Sequence, residues 1–410
     1  MQVLIVGGGA SGMLCALHAA QRGHSVTIAE QNEKLGKKLY ITGKGRCNFT
    51  NDCTQQEFLD HVVSNPRFLY SASGAYSPQD CIAEMETLGL KTKVERGRRA
   101  FPASDHSGDV IDALRRGLAR AGVRVLLHTR ITSIVREGSR ITCAEAERDG
   151  KHMRIPLDHL VLATGGLSYP STGSTGDGFR FAKEMGLRVT ALMPSLVPMN
   201  CKEEYIREMQ GLSLRNVEFT IRTGKKELFR DFGELMFTHF GITGPLVLSA
   251  SAVCGPYIGK KELISHIDLK PAVTEEMLDQ RILRLIAAHP QKSLRNLISE
   301  LYPAKMQPVI PEIARVDPDR KASEVTREER RRIVEVTKEF PLSIASLRGY
   351  NEAVITKGGV SVKEIDPKTM RVKSYDNLSI IGEMLDLDAM TGGYNLQIAW
   401  CTAAACAAGM

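Results

Sequence analysis

Val3-Leu4-Ile5-Val6-Gly7-Gly8-Gly9-Ala10-Ser11-Gly12 stands at the head of the chain, and Val26-Thr27-Ile28-Ala29-Glu30 follows one helix-length later. An apolar run closing on glycines predicts a buried strand and a tight turn, and the second apolar run closes on an acid. The order is therefore strand, glycine turn, helix, strand, carboxylate. Each position has its own reason. Gly7 permits the turn, Gly9 lets a pyrophosphate approach the backbone, and Gly12 lets the helix pack against the sheet. Ala10 and Ser11 lie in the first helical turn, whose free N–H groups and dipole favour an anion. Glu30, with Gln31 beside it, ends the second strand where a carboxylate accepts hydrogen bonds from ribose hydroxyls. It also repels a 2′-phosphate, so the site favours FAD or NAD over NADP.

At 410 residues the chain exceeds one ordinary core, and two or three domains are expected. Hydrophobic residues at 43% and charged residues at 25% describe a soluble globular protein. A net charge of +7 without a run of like charge gives no reason to expect a nucleic-acid partner. The nine cysteines form no CxxC pair, which argues against zinc, a disulfide framework or a dithiol couple, so no metal is expected. They fit a reducing, cytoplasmic location. The chain starts on a core strand rather than a signal peptide and has no membrane-length apolar run, so no membrane partner is expected.

Gly36 to Asn51 (GKKLYITGKGRCNFTN) is too polar for a core strand and too rich in glycine for a stable helix. It reads as a loop that encloses a cofactor, with Lys37, Lys38, Lys44 and Arg46 neutralising phosphates, or else as a solvated basic loop. Cys47 lacks a second cysteine two residues away, which disfavours a redox role. Residues 55 to 122 read as helical, interrupted by the basic turn Glu95 to Pro102. Strands follow over 123–127, 130–135, 139–146 and 160–163, an extension of the nucleotide-binding sheet. The last of them empties into Thr164-Gly165-Gly166 at a ligand-binding sheet edge. Ser168 to Gly178, opening a helix from Phe179, reads either as an anion-holding loop or as a turn capped by Asp177.

Around Pro194 the pattern shifts to short alternating strands, such as Val217 to Ile221 and Leu263 to Leu269, and from Thr274 to Glu339 it is helical. His239, in Gly233 to Pro245, is the one histidine in a motif-like setting and a candidate proton donor. In the tail, the buried strand Leu378 to Ile381 leads into Gly382-Glu383, then Asp386, then Gly392-Gly393-Tyr394-Asn395 and a helix of small residues. The strand-glycine-acid order resembles the second cofactor signature of flavoproteins, in which a carboxylate binds ribityl hydroxyls. The glycine pair aims a helix N-terminus at the flavin edge that gathers charge on reduction.

Gly36 to Asn51, Ala163 to Gly166, Ser171 to Gly178, Gly233 to Pro245 and Gly358-Gly359-Val360 through Asn395 resemble, in the same order, the YhiN/BaiN-like family of bacterial FAD-dependent oxidoreductases. The resemblance implies an α/β fold: a Rossmann-like FAD domain of the two-dinucleotide-binding type, with an inserted β-barrel domain and a helical subdomain. The expected spans are 1–193 with 356–410 for FAD, 194–273 with 340–355 for the barrel, and 274–339 for the helices. Cofactor contacts are implied at Lys38, Thr42, Gly43, Gly45, Arg46, Cys47, Asn48, Ile131, Ala163, Thr164, Gly165, Gly382, Glu383, Asp386, Gly392, Gly393, Tyr394, Asn395 and Leu396, beside Gly7 to Gly12, Glu30 and Gln31. The expected function is hydride transfer between flavin N5 and a small organic substrate. NAD(P)H is the expected reductant, a transient co-substrate because no second GxGxxG is present. The alternatives are a flavin oxidase using molecular oxygen and a non-enzymatic flavin-binding module.

Overall fold

The first strand, Gln2–Val6, takes the centre of a five-stranded sheet. Its order is Leu378–Ile380, His159–Leu162, Gln2–Val6, Ser25–Ala29, Arg124–Leu126, and every pairing is parallel. Val3 to Val6 are buried at consecutive positions, which requires both faces of the sheet to be covered. A strand from the last tenth of the chain thus lies two places from the first, and head and tail share one Rossmann-type α/β layer.

The computed structural model describes all 410 residues. The chain divides into two units, Met1–Ser195 with Gly349–Met410, and the inserted Leu196–Arg348. In the first, the head helix Ala10–Gln21 follows the glycine turn, and the tail helix Tyr394–Ala408 ends the chain. No helix is long and apolar enough to cross a membrane.

In the inserted unit, seven antiparallel strands form one sheet whose two edges are Phe340–Leu342 and Ile344–Leu347. Only Ser343 separates these edge strands in sequence, so the sheet has to curl until its margins adjoin, which makes it a barrel. Leu278, Ile282, Ile333 and Val334 of the helical run share one apolar core with Phe219, Phe237 and Ile267 of the sheet.

Three expectations need correction. Thr129–Glu137, Arg140–Arg148 and Lys151–Pro156 form a separate antiparallel meander and do not extend the parallel sheet. Lys37–Ile41 is a short helix inside the stretch expected to be loop: the glycines bracket it at Gly36 and Gly43 instead of interrupting it, and Leu39 anchors it in the core. Asp177 is the first residue of the helix Asp177–Glu184 and does not cap it. Left-handed Gly176 (φ 85°) takes the capping place, and the Asp177 carboxylate pairs with Arg130 at 3.0 Å.

Candidate functional site

Three of the four glycines of the head turn face three different surroundings. Gly7 (φ 107°) presses on the chain leaving the neighbouring strand, where a Cβ would come within 2.4 Å of Ala163 O. Gly12 sits over the turn itself, and a Cβ there would reach 1.9 Å from Gly7 O. Gly9 has φ −81° and nothing within 4 Å of where its Cβ would stand. The first two glycines are therefore demanded by the protein, while the third opens on empty space.

Gly9 is also the N-cap of the head helix, and no side chain caps it. The tail helix begins the same way, with Gly393 at its N-cap and no capping side chain. Both N-termini thus keep first-turn N–H groups that no helix can satisfy internally. The two helices run in parallel with a stagger. Ser11 Oγ lies 2.5 Å from where a Gly382 Cβ would be, Gly382 N donates to Thr402 Oγ1 (3.1 Å), and the Cys15 and Cys406 thiols neighbour one another one turn further along. Ser11 is therefore level with Thr402, and at 1.5 Å per residue the N-terminus of the tail helix overhangs that of the head helix by about 10 Å. Two uncapped, electropositive ends so spaced suit a ligand with a pyrophosphate at one end and an electron-rich ring at the other.

A third segment is stapled along the overhang. Trp400 Nε1 donates to Phe49 O (2.8 Å), Thr50 Oγ1 to Gln397 Oε1 (2.7 Å) and Asn51 Nδ2 to Gly392 O (3.0 Å). The preceding turn holds Gly43, Lys44, Gly45 and Cys47 at positive φ. For the two non-glycines this conformation costs about 1 kcal/mol each and is kept only where the surroundings impose it. Asn48 Oδ1, in that turn, and Thr164 Oγ1, beside Gly165, are fully buried polar atoms without a hydrogen-bond partner. Orphans of this kind call for a ligand group, and both stand in segments expected to touch the cofactor. The residues present therefore fit FAD.

At the adenosine end, Glu30 is 8% exposed. Its carboxylate accepts from Gly8 N (2.7 Å), Asn32 N (2.8 Å) and Asn32 Nδ2 (2.7 Å). Three of about four acceptor positions are used, which leaves one for a ribose hydroxyl. Gln31 Nε2 donates to Gly173 O (2.6 Å), so the hydroxyl-rich loop 168–178 is tied down over this end. Thr129 N donates to Glu30 O (2.9 Å), which brings the strand of Ile131 alongside.

The charged side chains depart from expectation. Lys37 bonds Glu33 and Asn32, while Arg46 bonds Glu95 and Asp105 at 2.5 and 2.6 Å, so their charge is spent on protein carboxylates rather than on phosphates. Lys38 reaches Glu383 Oε2 (2.8 Å) and Ser168 Oγ (2.7 Å). Glu383 Oε1 in turn accepts from Ser168 Oγ and Thr356 N, both at 2.9 Å, and from Lys38 at 3.1 Å. Glu383 thus clamps the site together, and only Oε2 retains room for a ribityl hydroxyl. Asn395 spends its amide on Ala389 N, Ala389 O and Met390 O, so only its backbone N–H can face a ligand. Asp386 is half-buried, and burial raises its carboxyl above the usual range.

Of the two reactive candidates, one is open to solvent and the other is sealed off. His239 is exposed on the turn after Lys226–Phe237, edge-on to Phe240, in the inserted unit. Cys47 is fully buried, and burial pushes its thiol up to about 12. Cys47 should therefore resist iodoacetamide in the native protein near pH 8 and react only on unfolding, as peptide mass spectrometry would read. Labelling at the rate of a free thiol would contradict the buried placement. His61, which sequence reasoning passed over, stacks on Tyr394 at 4.3 Å between ring centroids.

The family model described as HI0933-like protein Rossmann domain matches residues 1–409. The chain is 30% identical over 405 residues to the ribosomal RNA dihydrouridine synthase of Escherichia coli (strain K12), covering 98% of this chain and 96% of that protein. It is 29% identical over 402 residues to the 3-dehydro-bile acid delta(4,6)-reductase of Clostridium scindens, covering 97% and 96% respectively. Among solved structures, the 3-ketosteroid delta1-dehydrogenase from Sterolibacterium denitrificans shares the fold, with a TM-score of 0.55 at 14% identity over 99% of this chain and 98% of that one.

Proposed function

Because the chain belongs to the HI0933-like Rossmann-domain family, we propose that it is an FAD-dependent reductase of carbon–carbon double bonds conjugated to a carbonyl, with NADH or NADPH as electron donor. One observation carries the reading: two uncapped helix N-termini, at Gly9 and Gly393, are staggered by about 10 Å along parallel axes, so one extended dinucleotide can meet both. FAD, when bound, supplies a hydride from N5.

The chain's own residues bind and orient. The N–H groups at Gly9 hold the pyrophosphate, the remaining acceptor position of Glu30 takes a ribose hydroxyl, and the N-terminus of the tail helix meets the ring edge that becomes negative on reduction. Such a helix end is worth about 1 kcal/mol to the reduced state. The chemistry of the two relatives converges on this reaction. Their names denote saturation of a double bond conjugated with a carbonyl, in a 3-oxo-4,6-diene steroid and in the uracil ring. A second glycine-rich nucleotide motif is absent, so the nicotinamide visits the site and does not reside in it.

Anaerobic stopped-flow mixing tests this. The purified protein should be yellow, bleach with NADH or NADPH, and recover its colour with a 3-oxo-4,6-diene steroid or with uridine-containing RNA faster than with buffer. Recovery with RNA alone would replace the expected small-molecule substrate by a polynucleotide. Recovery only with oxygen would make the protein an oxidase, and no bleaching with either donor would make it a binding module; both outcomes overturn the proposal.

A further inference from the structure

We propose that His61 is the catalytic acid that protonates the α-carbon of the reduced double bond, an inference that rests on the reductase reading above. His61 closes the helix Gln55–Asp60, and its Nδ1 lies 2.6 Å from Glu57 O. A carbonyl oxygen only accepts, so the hydrogen of that bond is on Nδ1 and the tautomer is set. Nε2 takes no protein partner and is not enclosed, so it faces open space.

The ring is held flat on Tyr394, the first residue of the tail helix, with 19° between the planes. The backbone is held too: His61 O accepts from Met390 N (3.0 Å), and Val62 bridges Ala389 in the chain that runs into Gly392. These contacts place His61 at the overhanging end of the tail helix, the end that receives the isoalloxazine ring.

Most other ionisable groups there are committed. Lys357 bonds both oxygens of Asp388 and Ser64 Oγ, Arg98 bonds Glu57, and Asp386, whose backbone carbonyl accepts from Asn65 Nδ2, has its carboxyl raised by burial. Burial pushes the Tyr394 hydroxyl up to about 12, which makes it a weaker acid than an imidazolium. His61 alone keeps a ring nitrogen with nothing bound to it.

The step balances. The β-carbon receives the hydride, the π-electron pair moves towards the carbonyl, and the α-carbon takes the proton from Nε2 of the imidazolium. That leaves neutral imidazole with its hydrogen on Nδ1, the tautomer the structure holds, and solvent re-protonates Nε2. Electrons come from the nicotinamide dinucleotide through the flavin.

Two variants test the inference, His61→Gln and His61→Phe, the second keeping a ring to stack on Tyr394. In ¹⁵N-histidine spectra of the apoprotein, the signal lost in both variants should shift when FAD is added. Both variants should bind FAD, be reduced by NADPH within about threefold of the wild-type rate, and be reoxidised at least about 100-fold more slowly by the acceptor that serves the wild type, the steroid dienone or the RNA. Wild-type reoxidation should carry a solvent deuterium effect. An unshifted imidazole signal, reoxidation within threefold of wild type, or equal losses in both half-reactions would overturn the role. If the wild type itself is not reoxidised by either acceptor, the reductase reading is what fails.

Discussion

Gly9→Val should yield a folded, colourless protein. At Gly9 the backbone is extended in φ and ψ, conformations open to any residue, and no protein atom lies within 4 Å of the added Cβ. The stability of the apoprotein should therefore move by no more than about 0.5 kcal/mol, as for an unconstrained surface change. The space that the valine fills is the space through which a pyrophosphate reaches the first-turn N–H groups. FAD affinity should fall by at least about 100-fold, roughly 3 kcal/mol. Gly12→Val is the contrast, since its Cβ would stand 1.9 Å from Gly7 O and the turn would have to move. That variant should lose both colour and fold, at a cost above about 3 kcal/mol. Flavin released on denaturation, counted per chain, and a thermal melt by circular dichroism separate the two. A Gly9→Val protein carrying one FAD per chain would place the pyrophosphate elsewhere.

The contrast also marks what a sequence can disclose. Gly7 and Gly12 were readable because each answers a local steric demand, and Gly9 because its place between them in the spacing leaves the helix N-terminus open. The tail strand and the glycine pair before Tyr394 were readable for the same reason, and so was a β-rich insert, from short alternating strands that must find partners; that it is a barrel was implied only by the family resemblance. Partners of charge were not readable. Lys38 and Glu383 lie 345 positions apart, and Arg46 meets Glu95 and Asp105 across a hairpin, so a basic loop looked free to neutralise phosphate when protein carboxylates had already claimed most of it. The Asp177 cap was misread because a preceding glycine in the left-handed region can take the capping place without a side chain. His61 carried no motif at all. Its meaning comes from a stack on a residue 333 positions away and from a nitrogen left without a partner, and neither leaves a periodic trace.

Lys357→Met should destabilise the protein by about 3 to 5 kcal/mol, the usual cost of stripping the partner from a buried charge. Asp388 is fully buried and Lys357 is 14% exposed, with Nζ at 2.9 and 3.0 Å from the two carboxylate oxygens and 2.9 Å from Ser64 Oγ. All three ammonium hydrogens are thereby used, and the Asp388 carbonyl takes Val63 N at 2.7 Å. The pair ties the strand Ile355–Lys357 to the chain between Glu383 and Gly392, so its loss should also loosen the segment that leads into the tail helix. Replacing both partners by apolar residues, Lys357→Met with Asp388→Leu, leaves no unpaired charge and should recover at least half of the loss, because two apolar groups need no desolvation of an ion. Urea melts of the four apoproteins give the coupling directly. A single variant within about 1 kcal/mol of wild type would mean that water reaches Asp388 and screens it, and the clamp would then contribute no more than an exposed pair does.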